Sequence, residues 1–458
     1  MSKSIILSRL QGKHILILGY GREGKSTYNF IKQHLPKAKV TIADANPHLD
    51  ITEIKNYNDA YILGENYLHT ISAYDLIIKS PGISLKNHLS FIQRDIISSQ
   101  TDLFLQAYAN QCIGVSGTKG KSTTSSLIYH ILQSLNIPSL LAGNIGIPLF
   151  DIIPLIHKEV KIVMELSSHQ LEFIQQAPST AILLNIFQEH LDHYLGFEAY
   201  QQAKYALARY QQKNDTFIYN TDDILIKKLL QHSPPQSNLL GFSFASSTSS
   251  ACYIRNYSFM YKNNDKEEKI MDIVTNDFPL KGKHNLANSC AALLAVLPFI
   301  PAEKRKELKN AVYSFQSLAH RLEFVATIDD VSYYNDSIST IPQATIAALE
   351  AIDNVNTLIL GGMDRGIDYM PMKSVFCDSQ VENFIFTGKA GERMMQLCQE
   401  FSNKKTFFSN DYTEIIAIAK RVTRKHHVCL LSPAASSYDA FTNFEHRGNV
   451  YKELIKNT

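Results

Sequence analysis

Residues Ile113 to Thr124 read IGVSGTKGKSTT. An apolar run ends there in a glycine-rich turn, and a helix-forming segment, SSLIYHIL, follows. Gly117 and Gly120 let the backbone curl so that several N–H groups converge. Lys121 adds a cation and Ser122 a hydroxyl where the helix begins. Such a turn holds a polyphosphate. The amides and the helix dipole favour anions, the lysine reaches the β- and γ-oxygens, and the hydroxyl can ligate Mg²⁺. The strict motif has glycine five residues before Gly120, where this chain has Val115. A strand-to-helix turn that merely carries a lysine is the alternative. Gly-Lys-Ser at a strand–helix junction argues for the phosphate loop.

A second set of chemical residues follows. The apolar run Val160–Met164 stops at Glu165, so a carboxylate emerges at a strand's C-terminal end. Near a phosphate loop such a group can hold Mg²⁺, which prefers hard oxygen ligands. LLAGNIGIP contributes a polar Asn144 in a glycine-rich turn. The strand TAILLN ends in IFQEHLDHY, which brings Glu189, His190, Asp192 and His193 to the same rim. Any one of these is ordinarily a solvated polar group; the concentration points to a site. Lys204, in FEAYQQAKYALARY, has apolar neighbours at helical spacing and by itself reads as part of a solvated face.

The elements that position these groups form an α/β pattern. HILIL (His14–Leu18) reads as a buried parallel strand, and Gly19-Tyr20-Gly21-Arg22-Glu23-Gly24 fits G-x-G-x-x-G. A helix pattern over Lys25–His34 and a strand, VTIAD, come next. Asp44 lies where a dinucleotide site puts its ribose-binding acid. Spacing alone suggests NAD, but any ligand with a diphosphate and a ribose can use the same turn. DLIIKS ends in Pro81-Gly82, which either terminates the strand or lines a ligand crevice. FIYNTDD is a further strand. Residues 231–269 are polar and Ser-rich, and read as peripheral loops or a β-ribbon. LKGKHNLANSCAALLAVL opens a helix with Asn285 and Asn288 in its first turns. The last segment restarts the pattern. Arg321 precedes a strand, Asp336 follows one, and TLILGGMDRGIDY and ENFIFTGKAGERM repeat the strand-then-glycine arrangement. Strands and helices alternating with glycine turns argue parallel or mixed sheets covered on both faces.

Length and composition agree with two to four globular domains in 458 residues. A formal net charge of +2 gives no reason to invoke nucleic acid or a membrane surface. Six cysteines without CxxC spacing fit reduced thiols. No signal peptide and no apolar run long enough to span a bilayer is read, so a cytoplasmic reaction is expected, with no membrane insertion.

GTKGKSTT, AGNIGIP, ELSSHQLE, NIFQEHLDHY with a later AK, GKHNLAN, AHRLE, NDS, GGMDRG and LSPAASSYDAFTNFEHRGN occur in the order found in Mur ligases. The chain resembles that family over nearly its whole length, and most closely its glutamate-adding branch. The resemblance implies an ATP-dependent, ADP-forming amide ligase that adds glutamate, D-glutamate by preference, to UDP-N-acetylmuramoyl-L-alanine through an acyl phosphate. That reaction belongs to peptidoglycan precursor synthesis, and so to cell-wall biogenesis, cell shape and division. Three domains are implied: a UDP-substrate-binding Rossmann-like domain over 1–108, a central ATP-binding domain over 109–313 and a C-terminal glutamate-binding Rossmann-like domain over 314–458. A monomer using ATP and two Mg²⁺ sites is expected.

Residue roles follow by motif. Gly117, Thr118, Lys119, Gly120, Lys121, Ser122 and Thr123 would bind ATP, with Asn288, Arg321 and Asp336. Ser122 and Glu165 would help hold Mg²⁺, and His190 a second metal. Lys204 matches the lysine that the family carbamylates, and would then act as an extended carboxylate. Lys121, His190 and Lys204 are the implied catalytic residues. Gly19, Gly21, Asp44, Ser80, Pro81, Gly82, Asn144 and Gln170 would surround the UDP substrate, and Arg365, Ser437 and Phe444 the glutamate. Arg365 stands where many members have lysine; either holds a carboxylate, arginine in a bidentate fork. Ile338 replaces a family lysine, and Lys119 stands where asparagine is common. GREG and NDSIST also resemble a variant branch that adds L-glutamate. An NAD(P)-dependent oxidoreductase, a non-catalytic nucleotide-binding regulator and a folate polyglutamate ligase are the competing readings. The first leaves the phosphate loop and Glu165 unexplained. Retained Lys121, Glu165, His190 and Lys204 argue against the second, and the N-terminal GYGREG segment against the third.

Overall fold

The computed structural model describes residues 2–457 except 58, 70, 91, 146, 191, 246–249, 264–265, 275–276, 281 and 317–318. Gly146 and Leu191 of the motifs quoted above lie outside the described residues. The chain divides into two compact units: Met1–Phe278 with His284–Phe315, and Pro279–Lys283 with Gln316–Thr458.

The first unit contains two sheets. One is all parallel, built from β1 (His14–Leu18), β2 (Lys39–Asp44), β3 (Ala60–Leu63), β4 (Leu76–Lys79) and β5 (Ile97–Ser98), in the order β3-β2-β1-β4-β5. The apolar run of β1 is buried because β1 is a central strand with neighbours on both sides. Strand order reverses at β1, which opens a crevice at the C-terminal ends of β1 and β4. The helix Arg22–His34 starts three residues earlier than the sequence pattern suggests, inside the glycine motif itself.

The second sheet comprises β6 (Cys112–Ser116), β7 (Ser139–Gly143), β8 (Lys161–Glu165), β9 (Thr180–Leu183), β10 (Thr216–Asn220), β11 (Asn238–Ala245), β12 (Ser250–Arg255), β13 (Ser258–Asn263) and β14 (Lys266–Asp272). Its order is β14-β13-β12-β11-β10-β9-β6-β8-β7. The strands are parallel from β7 to β12, and an antiparallel ribbon, β12–β14, extends the far edge. The polar stretch is therefore strand over most of its described length, with Ser243, Ser250 and Ser258 buried and residues 266–269 exposed. β6 lies between β8 and β9, with Val115 opposite Glu165 and Ser116 opposite Leu183. One apolar cluster runs through both sheets' helices, and Phe30 packs on Phe150 with ring centroids 4.5 Å apart.

The second unit holds β15 (Glu323–Ile328), β16 (Val331–Asn335), β17 (Val355–Gly361), β18 (Asn383–Thr387), β19 (Lys405–Phe408) and β20 (Val428–Leu431), in the order β15-β16-β20-β17-β18-β19. Only the β15–β16 pair is antiparallel. Separate apolar clusters cover its two faces. Among the described residues no helix is long and apolar enough to cross a membrane.

Candidate active site

The phosphate loop leaves β6 and enters the helix Lys121–Ser134 through Gly120, whose φ is 84°. A side chain at Gly120 would also meet Asn288 Nδ2 at 2.6 Å, so only glycine fits. Asn288 of helix Lys283–Val296 is thereby brought against the loop. Thr118 pins the loop sideways. Its N–H donates to Asn185 O at 3.0 Å, and its hydroxyl is 2.8 Å from Tyr200 OH. Lys119 N–H donates to Asn185 Oδ1, and its ammonium pairs with Glu189 at 2.5 Å. Ser122 is half-buried and Thr123 buried in the first helical turn. Lys121 Nζ donates to the carbonyls of Gly117 at 2.9 Å and Thr118 at 3.0 Å. Asn185 opens the motif NIFQEHLDHY without being singled out there, and Tyr200 lies on a helix with no motif signal that sequence reading could use.

Glu165 ends β8 one strand away from the loop. It is buried. Asn144 Nδ2 donates to its Oε1 at 2.6 Å, and its Oε2 has no hydrogen-bond partner. A buried carboxylate oxygen left without a donor is costly unless a cation takes it. Among the described residues no three His, Cys, Asp or Glu side chains gather as a cage for a metal. One carboxylate beside a phosphate loop suits Mg²⁺, which keeps waters and shares phosphate oxygens, better than a metal with several protein ligands. The residues present therefore fit Mg²⁺.

Lys204 is buried, and its Nζ donates to Gly117 O at 2.8 Å. Nζ also lies 4.9 Å from the Tyr200 ring centroid. Burial, and then the neighbouring Lys121 charge, hold its amine well below the usual lysine range. His190 is partly exposed and holds an unusual φ of 58°. Burial lowers its pKa, which Glu189 opposes. Its ring is 4.6 Å from His169, which lies 4.1 Å from His193. Burial, with His193 and His190 nearby, depresses His169 to about 3, so this imidazole is neutral.

The first sheet's crevice gathers the residues assigned to the UDP substrate. Ser80 Oγ donates to Gly19 O at 2.8 Å, which ties the turns after β1 and β4 together. A side chain on Gly24 would strike Gly19 O at 2.0 Å, whereas Gly21 faces open space. Asp44 accepts from Tyr20 N at 2.7 Å and Asn46 N at 2.8 Å, so it braces the glycine turn. Pro81 and Gly82 form a turn closed by Ile83 N to Ser80 O at 3.2 Å. Ser84 Oγ reaches His193 O of the neighbouring sheet at 2.7 Å. Gln170 crosses the same seam. Its Nε2 donates to Glu23 Oε1 at 2.6 Å, and its Oε1 caps the short helix Ser168–Leu171 with Ser167. Asn144 lies beside Glu165 rather than at this crevice's glycine turns.

Arg321, Asp336, Arg365, Ser437 and Phe444 belong to the second unit, and Asn288 to the first. Asp336 is fully buried. It accepts from Ser432 Oγ at 2.7 Å and Leu322 N at 3.2 Å, and burial raises it to about 6. Arg321 Nε is buried without a hydrogen-bond partner. Arg365 is exposed after β17, and Ser437 is buried after β20. Met363 N donates to Ser436 O at 2.8 Å, which joins those turns. Sequence reading missed Arg447. This buried guanidinium donates to Ser337 Oγ at 2.9 Å, Ser337 O at 2.8 Å and Ala435 O at 3.1 Å. Ser337 Oγ in turn donates to Phe444 O at 2.8 Å. The NDS turn, the Ser-rich turn and Phe444 are thus held by one side chain. FEHRG carries that arginine, but nothing in the pattern says it points inward.

The profile of the Mur ligase middle domain matches residues 115–296, and that of the Mur ligase glutamate ligase domain matches 320–435. Over 455 residues, 98% of each chain, the sequence is 31% identical to the UDP-N-acetylmuramoylalanine--D-glutamate ligase of Geotalea uraniireducens (strain Rf4). The similarly named protein of Clostridium tetani (strain Massachusetts / E88) is 31% identical, with 98% of this chain and 97% of that one covered. The fold is similar to the crystal structure of UDP-N-acetylmuramate-alanine ligase MurC from Thermotoga maritima, with a TM-score of 0.57, 16% identity, and 97% and 99% of the two chains covered. MurF ligase from the same organism, in complex with ADP, gives a TM-score of 0.53 at 17% identity, covering 97% and 95%.

Proposed function

The chain belongs to the Mur ligase family, and on that premise we propose that it adds glutamate, D-glutamate in the first instance, to UDP-N-acetylmuramoyl-L-alanine. As a member it is an ATP-dependent amide ligase of peptidoglycan precursor synthesis. The observation that carries the proposal is Glu165, with its buried, partnerless oxygen beside a phosphate loop. The acceptor and the amino acid are supported by the names of the full-length relatives. The division at residues 108 and 313 and a cytoplasmic, monomeric enzyme are part of the same proposal.

A carboxylate is a poor acyl donor because oxide would have to leave. The alanyl carboxylate attacks the γ-phosphorus of ATP, ADP departs, and an acyl phosphate forms. The glutamate nitrogen attacks the acyl carbon, phosphate leaves, and the ammonium's surplus protons pass to solvent or a base. The protein's work is alignment and charge neutralisation. The loop amides and Lys121 receive the β/γ-phosphates, with Lys121 exchanging its loop carbonyls for phosphate oxygens. Ser122 and Glu165 would hold Mg²⁺, which would supply further neutralisation of phosphoryl oxygens. Asn144 fixes Glu165's orientation. Lys204, buried with a depressed amine, is suited to take up CO₂; its carbamate and His190 would hold a second metal, which would supply further charge neutralisation. Asn288 stands against the phosphate loop within the first unit and would contact the nucleotide there; Arg321 and Asp336 are the second unit's residues assigned to ATP by motif. Arg365, Ser437 and Phe444 hold the incoming glutamate, with Arg447 fixing the turns that carry them.

Ile338 favours a second reading, L-glutamate addition. An apolar, half-buried side chain occupies the family lysine's place, its N–H donating to His320 O at 3.1 Å. Phosphate release from ATP with UDP-N-acetylmuramoyl-L-alanine, measured with each glutamate enantiomer, separates the two. Release with D-glutamate alone is expected. Release with L-glutamate alone selects the second reading, and none with either refutes the acceptor.

A further inference from the structure

Glu23 is an acid in a turn that would hold a diphosphate. It is the fifth residue of the Gly19–Gly24 motif and lies in the first turn of the helix Arg22–His34. Its Oε1 accepts from Gln170 Nε2 at 2.6 Å. Its Oε2 is buried with no hydrogen-bond partner. Gln170 cannot turn its oxygen this way, because that oxygen already accepts from Ser167 N at 3.1 Å and Ser167 Oγ at 3.3 Å. Glu23 therefore sits between two groups assigned to one ligand, the glycine turn and Gln170.

The charges facing it are few. Arg22 lies on its own turn, and Lys79 ends β4. Lys79 is already committed: its Nζ pairs with Glu172 at 3.2 Å, and Glu172 also takes His193 Nε2 at 3.1 Å. From the helix Gln100–Tyr108 the contact is neutral, Gln100 Nε2 to Glu23 O at 3.3 Å. A diphosphate bound here adds negative charge beside a buried carboxyl with no cation of its own. Like charges at that range in a poorly hydrated site do not both stay ionised. A proton on Oε2 removes the repulsion and gives the orphaned atom a donor role.

We propose that Glu23 is a specificity-determining residue for the diphosphate substrate, bound as the neutral acid, with Oε1 accepting from Gln170 and Oε2–H donating to a diphosphate oxygen. The inference rests on the function proposed above. The proton comes from solvent, so binding is linked to pH. Burial already raises the Glu23 pKa in the free protein, in the direction this requires. A nucleotide-sugar diphosphate is fully ionised near neutrality, so the ligand itself supplies no proton.

Calorimetry of UDP-N-acetylmuramoyl-L-alanine binding to the full chain, in buffers of different ionisation enthalpy between about pH 6 and 8, tests this. Wild type is expected to take up a proton fraction approaching one, with Kd weakening by up to about tenfold per pH unit within the linked window. Glu23→Gln is expected to bind without uptake and with a pH-independent Kd. Infrared difference spectra of the wild type should gain a protonated-carboxyl band on binding, a readout that needs no variant. Binding without uptake, uptake unchanged in Glu23→Gln, or absence of the band overturns the assignment of Glu23 alone. Failure of wild type to bind this nucleotide overturns the proposed function and the inference together.

Discussion

Lys121 and Lys204 share one acceptor: both donate to the carbonyl of Gly117, at 2.9 and 2.8 Å. Two ammonium groups on one oxygen repel each other, and the buried one yields. Burial, followed by the Lys121 charge, depresses Lys204. The phosphate-binding cation therefore also helps hold its neighbour's amine below the usual lysine range.

Lys204→Ala is expected to lose most activity, and a short carboxylate added to the medium to restore part of it by standing in for the carbamate. Mass spectrometry of the native wild type should show the mass of one CO₂ on the peptide containing Lys204. Wild-type turnover in the variant removes Lys204 from the mechanism.

Lys121→Ala removes a donor aimed at charge that develops during phosphoryl transfer. Losing one such donor costs roughly 100- to 1,000-fold in kcat. Steady-state phosphate release measures it, with thermal unfolding as the folding control. Near-normal turnover refutes the phosphate-loop assignment.

Gly120→Ala combines an unfavourable left-handed φ of 84° with a clash on Asn288. The backbone term alone is about 1–2 kcal/mol. The expected result is a lower Tm together with a raised KM for ATP, because loop and Asn288 must separate. An unchanged KM for ATP would mean that this contact does not shape the nucleotide seat.

Asp336 gives the second unit a defined pH dependence. Its native value is raised to about 6 by burial, above an ordinary value of 3.8. Between those values the native state keeps the proton that the unfolded chain has lost, so stability falls as pH rises from about 4 to 6. The cost above that window is on the order of 3 kcal/mol. Asp336→Asn removes the pH-dependent part. Its stability relative to wild type should rise across the window in urea titrations, and a constant difference would contradict the burial.

Strand–glycine–helix units were legible because buried parallel strands read as unbroken apolar runs. The phosphate loop and Glu165 followed, since each is fixed by where such a run stops. Lys204 was legible only through the family resemblance: by spacing, a helical lysine with apolar neighbours looks the same whether the helix faces water or a loop carbonyl. Arg447 and Glu23 escaped for a related reason. Their partners, Ser337 and Gln170, lie 110 and 147 residues away, and no local period encodes such a pairing. The ribbon β12–β14 reads in sequence as either loop or ribbon because its last strand exposes four consecutive polar residues, 266–269, without the alternation that marks a strand.

One apolar cluster lies beneath both sheets of the first unit, and Phe30 meets Phe150 within it. A nucleotide-binding segment of about a hundred residues can in principle fold alone. Here, severing it near residue 108 would leave wet apolar faces on both pieces. The segment proposed to hold UDP and the segment proposed to hold ATP therefore melt as one cooperative body. Whichever nucleotide binds first shields the other's seat from unfolding by mass action alone, with no conformational signal passing between them.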